Sequence, residues 1–147
     1  MTDKPSLTLK RQLKASPARI FKAWTDPAKL VHWWGPHDTE EGSVEAETDL
    51  RVGGAFRIRL KTSDGRSHEA SGTYQEIAPN EGLVMTWLAS ADAPGLVTVT
   101  FRGEAGGTML TLTHDGLADE ASRASHQAIW AGAIERLERF VTRGGKK

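Results

Sequence analysis

The 147-residue chain has no cysteine, which removes disulfides, thiolate metal sites and cysteine nucleophiles together. Neither charge is in excess: nineteen Lys and Arg stand against nineteen Asp and Glu. No long-range field therefore draws in nucleic acid or an anionic membrane surface. Long apolar runs are also missing. The stretch behind Met1, TDKPSLTLKRQL, is polar and broken by charge, too short of apolar residues for a signal peptide or a membrane insertion. The expectation is one soluble, cytoplasmic domain over 1–147, a size at which a single core is usual.

Catalytic and metal motifs are absent in the same way. No His-x-x-x-His or Glu-x-x-His pair occurs and the five histidines fall on separate elements, so no metal is expected. A Gly-x-Ser-x-Gly elbow is missing too. Gly53-Gly54 and Gly106-Gly107 lack the following helix or lysine of a phosphate loop and read as turns. No cofactor is expected.

What is present is a strong order of elements. Residues 6–13 alternate as a half-buried strand through Leu7, Leu9 and Leu13. Ser16-Pro17 and Asp26-Pro27 each read as an N-cap followed by proline at the first helical position, opening two short helices in series. Gly35-Pro36 stops the second. From about 38 to 115, six strands alternate with turn signals at Gly53-Gly54, Asp64-Gly65, Pro79-Asn80, Pro94-Gly95 and Gly106-Gly107. The inward set on these strands includes Phe56, Ile58, Leu60, Leu83, Met85, Trp87, Val97, Val99, Phe101, Leu110, Leu112 and His114.

Helical periodicity returns from Ala121 to about Arg143, with a stripe of His126, Trp130, Ala133, Ile134, Leu137 and Val141 and Phe140 beside it. Gly144-Gly145 ends it. The result is an α+β chain whose curved antiparallel sheet must bury one face, and this last helix is the only cover of sufficient length, at ~30 Å.

The segment PARIFKAWTDPAKLVHWWGP resembles the N-terminal signature of the START-like, or SRPBCC, superfamily. Within it, the match is to the subgroup named after the activator of the ninety-kilodalton heat-shock chaperone's ATPase. DLRVGGAFRIRL, SGTYQEIAPNEGLVMTW, VTVTFRGEAGGTMLTLTHDGL and IWAGAIERLERFV carry the resemblance along nearly the whole chain. It implies a helix-grip fold: a seven-stranded antiparallel sheet around a long C-terminal helix, two short helices after strand 1, and a hydrophobic cavity between sheet and helix. Other branches of the superfamily bind lipids, sterols, hormones or polyketides, or act as aromatase/cyclases.

Within that frame, the adjacent tryptophans Trp33 and Trp34 raise a geometric question. Neighbours on a helix point about 100° apart, so Trp33 is assigned to the core and Trp34 to the cavity entrance or the surface. Phe56, Tyr74, Met85, Trp87 and Trp130 are expected to line the cavity with Trp34. His114 and His126 are its polar anchors, unless they are simply satisfied structural histidines. His32, His37 and His68 fall in or beside loops and are expected to be solvated. Glu45, Glu47 and Glu69 face water. Glu76 shares the phase of Tyr74 unless a bulge intervenes.

The leading functional expectation is binding of a small apolar molecule. Two alternatives stand beside it: a cyclase- or isomerase-like enzyme using a cavity His or Glu, and a co-chaperone-like interaction module with an exposed apolar patch. Homodimerisation could use the sheet edge or the Trp34 region.

Overall fold

The structure is a computed structural model that describes residues 6–35, 39–40, 42–89, 95–117 and 119–143. Pro36, His37, Pro94 and the Gly144-Gly145 stop therefore lie outside the described residues.

The chain begins with strand β1 (Leu7–Leu13) and two helices, α1 (Pro17–Thr25) and α2 (Pro27–Trp33). Both helices start as their sequence signals dictate. The Ser16 hydroxyl accepts from Arg19 N–H at 3.2 Å, and the Asp26 carboxylate accepts from Ala28 N–H at 3.0 Å. A proline follows each cap, where its missing N–H costs nothing. Asp26 also closes α1, its N–H donating to Lys22 O. One residue thus ends one helix and opens the next, which sets the sharp bend between them.

Strands β2 (Glu45–Thr48), β3 (Ala55–Lys61), β4 (Ser67–Ala78), β5 (Gly82–Ala89), β6 (Gly95–Glu104) and β7 (Gly107–Asp115) follow, then helix α3 (Glu120–Arg143). All seven strands join one antiparallel sheet in the order β1-β7-β6-β5-β4-β3-β2. The meander is interrupted only by β1, which pairs with β7 from Leu7↔His114 to Leu13↔Thr108. One face is apolar and is covered by α3, whose Trp130, Ala133, Ile134, Leu137 and Val141 are buried. On the other face, Arg57 meets Glu47 and Glu69, and Arg59 meets Glu45, at 3.3–3.7 Å. These exposed cross-strand pairs are worth about 0–1 kcal/mol each, so burial on the inner face decides the fold.

One irregularity matters for the site. The pairing of β4 with β5 runs in register through Tyr74↔Met85 and then shifts, so that Glu76 meets Val84 and Ile77 meets Leu83. The extra residue turns both Gln75 and Glu76 outward to solvent, while Tyr74 stays buried. Gly72 lies where β5 comes close, since a Cβ there would stand 1.9 Å from Thr86 O.

Candidate functional site

The inner face carries an aromatic cluster that draws on every tryptophan in the chain. Trp130 of α3 stacks on Trp24 of α1 with ring centroids 6.0 Å apart and planes 21° apart. It also lies 4.8 Å from Trp34 and 5.0 Å from Trp87. Trp33 packs against both Trp24 and Trp34, at 5.0 and 5.7 Å. Sequence reasoning expects a hollow between Trp130 and the sheet; the structure fills that space with indole rings.

A small void does remain, to one side. Its walls come from six elements and the cap of α2: Trp24 from α1, Leu30 from α2, Trp34 behind it, Thr48 from β2, Phe56 and Ile58 from β3, Tyr74 from β4, and Met85 with Trp87 from β5. Its volume is about 10 Å³, room for roughly one water molecule.

Trp34 is buried, 5% exposed, instead of lying at the surface. The 100° rule does not apply to it because α2 stops at Trp33. Trp34 is the C-cap, with φ −63° and ψ 139°, its N–H donating to Leu30 O. The extended backbone redirects the second indole inward, next to the first. Gly35 follows at φ +119°, a conformation that favours glycine, and a Cβ there would stand 2.3 Å from the Thr39 hydroxyl.

Polar groups around the void are few. Thr48 donates its hydroxyl to Thr25 O at 3.1 Å. Burial, with Asp49 adding negative potential, pushes the Tyr74 phenol up to about 12, so it stays protonated at neutral pH. Trp24 Nε1 is the one buried side-chain nitrogen or oxygen without a hydrogen-bond partner among the described residues.

A second, polar region lies behind Trp130. Its Nε1–H donates to His114 Nδ1 at 3.0 Å. An accepting Nδ1 places the imidazole proton on Nε2. The His126 ring lies 5.0 Å from that of His114 and donates its Nδ1–H to Ser122 O at 2.9 Å. Burial, with His126 nearby, lowers His114 to about 4, so it is neutral near pH 7. Of the residues expected at the site, Trp34, Phe56, Tyr74, Met85 and Trp87 meet at the void. Trp130, His114 and His126 do not line it; Trp130 and Trp87 stand between the histidines and the void.

Comparison with known proteins places this arrangement. The family described as "Activator of Hsp90 ATPase homolog 1-like protein" (AHSA1) matches residues 14–142. The chain belongs to the AHSA1 family. That family is part of the START-like superfamily, and the sheet and long terminal helix are its helix-grip fold.

An uncharacterised protein from Rhizobium leguminosarum is 30% identical, with a TM-score of 0.78 and 95% of each chain covered. An AHSA1 protein from Silicibacter pomeroyi is 24% identical at TM-score 0.79, covering 95% of this chain and 99% of that one. DynU16, a protein of the dynemicin biosynthetic locus, shares the fold at TM-score 0.76 and 20% identity, with 95% of this chain matching 48% of DynU16. No curated protein matches the chain. The AHSA1-like fold is compatible with ligand-binding and with cyclase-like proteins.

The remaining expectations fall on the surface of this AHSA1 chain. His32 is exposed and stacks on Phe140 at 5.8 Å, and His68, exposed, sits early in β4 against the Thr62 hydroxyl at 3.2 Å. Larger depressions are open to solvent. One of about 670 Å³ crosses the outer strands beside the Arg59–Glu45 pair. Another, of about 400 Å³, lies between α2 and α3.

Exposed large apolar side chains among the described residues are Leu50, Val52, Leu88 and Leu96. No described helix is long and apolar enough to cross a membrane. Sequence reasoning missed Trp24, Leu30, Thr48 and Ile58 at the void. For Trp24 the helical spacing was readable, but spacing alone does not reveal an unpaired indole.

Proposed function

We propose that this protein binds a small, predominantly apolar molecule at the Trp24–Tyr74 end of its core, with Trp34 moving aside to admit it. The supporting observation is the void itself: eight large apolar or aromatic side chains converge on it from the sheet and both short helices, one of them the tryptophan that caps the end of α2.

At about 10 Å³ the void holds no organic molecule unless a wall moves. Trp34 is the wall whose backbone has already left the helix and is followed by a glycine. Unburying one large side chain costs roughly 1.5–3 kcal/mol, and a ligand that fills the vacated space buries comparable apolar area. The exchange is therefore within reach of ordinary affinities.

A cyclase-like reaction finds no base at this place. Among the described residues, Thr48 and Tyr74 are the only hydroxyl-bearing walls, none of the walls is an imidazole or a carboxylate, and the phenol is held protonated. His114 lies behind the indoles, with Nδ1 engaged by Trp130.

Titration with the neutral probe N-phenyl-1-naphthylamine tests the proposal. Saturable binding to the wild type is expected, with Trp34→Ala binding about tenfold more tightly because the space is already cleared. Binding by Trp34→Ala alone, or by neither protein, would contradict it.

A further inference from the structure

Deepening the ligand-binding reading on which it rests, we infer that the polar end of the ligand is an uncharged hydrogen-bond acceptor, a ketone, ester or ether oxygen, received by the Trp24 indole N–H. Three of the buried indoles have different fates. Trp33 donates to Ala23 O at 2.9 Å and Trp130 to His114 at 3.0 Å. Trp24, 5% exposed and lining the void, has its N–H unpaired. A buried donor without a partner is unfavourable and rare in a native core, and here it belongs to a ring that lines a void able to supply an acceptor.

The other walls narrow the chemistry. Among the described residues no Lys, Arg or His lines the void, so a carboxylate or phosphate would enter without a counter-charge, at high cost in an apolar site. Asp49, which disfavours ionisation of Tyr74, opposes an anion as well. The Thr48 proton is committed to Thr25 O. What remains is donor-rich: the unpaired indole N–H of one wall and, on another, a phenol that keeps its proton. A carbonyl oxygen, with two lone pairs and no proton to place, matches that set better than an alcohol.

Acetophenone, ethylbenzene and benzoate share a ring and differ in the polar group, so they isolate the effect. Wild type is expected to bind acetophenone about five- to tenfold more tightly than ethylbenzene, the range of one net hydrogen bond, and to leave benzoate unbound. Trp24→Phe should bring the acetophenone-to-ethylbenzene affinity ratio to about one, whatever the smaller ring does to the affinity for ethylbenzene itself. A readout without any variant is the Trp24 indole proton by NMR, expected to shift downfield with acetophenone and to stay near its free position with ethylbenzene.

Equal affinity for ketone and hydrocarbon, or an indole proton indifferent to the ketone, would overturn the acceptor inference and leave the ligand reading standing. Tighter binding of benzoate would overturn it too. If none of the three binds, the ligand reading falls and takes this inference with it.

Discussion

The two ends of the aromatic core are built from similar rings and treat their polar atoms in opposite ways. Behind Trp130, the indole meets His114 and His126 meets the Ser122 carbonyl, so each histidine has a hydrogen bond and their rings lie 5.0 Å apart. In front of it, Trp24 lines a small empty space and has an unpaired N–H. Satisfied polar groups rigidify a core, whereas an unsatisfied one marks a place where something is missing. The contrast explains why the histidines, chemically the most versatile groups inside the sheet, belong to the scaffold, and why an indole on the first helix is the better candidate for ligand recognition.

Trp130 is the partition between the two ends, and its removal should have the largest effect. Trp130→Ala is expected to cost about 3–5 kcal/mol by chemical denaturation, because it strips contacts from Trp24, Trp34 and Trp87 and leaves His114 without its donor. A loss below about 1 kcal/mol would mean that the ends are not joined through this ring.

Acid acts on the polar end next. His114 is held at about 4, below its ordinary 6.5, so the unfolded chain binds its proton first as pH falls. Stability is full above about 6.5 and declines through the interval down to about 4. Thermal unfolding of His114→Asn should lose part of that slope. An unchanged slope would place the sensitivity elsewhere.

The smallest effect separates the indoles themselves. Trp33→Phe, Trp130→Phe and Trp24→Phe delete the same ring atoms, but only the first two strand a buried acceptor. Trp24→Phe should therefore be milder by about 1 kcal/mol or more. Equal losses would mean that the Trp24 N–H is satisfied in solution.

Much of this architecture can be read from the residues. The capped prolines at Pro17 and Pro27, the alternation in β3 and the stripe on α3 fall where the periodicities place them, because each is decided by local sterics and one buried face. The exceptions sit where the chain leaves a regular period. Trp34 turns inward because the helix has ended, and Glu76 turns outward because an extra residue enters β4. The apolar pair Tyr74 and Ile77, three apart and both facing inward, held the signal for that bulge.

The void was harder to foresee. Whether five tryptophans fill a space or frame one depends on ring placement to within about an ångström, which no hydrophobic pattern encodes.

The ligand claim is tested most directly by a crystal structure of the protein with N-phenyl-1-naphthylamine. The account predicts the naphthyl ring against Phe56, Tyr74, Met85 and Trp87, in space that Trp34 has vacated, with the Trp130–His114 hydrogen bond intact. A probe seated in the depression between α2 and α3, with Trp34 still packed on Trp87 and Trp130, would contradict it.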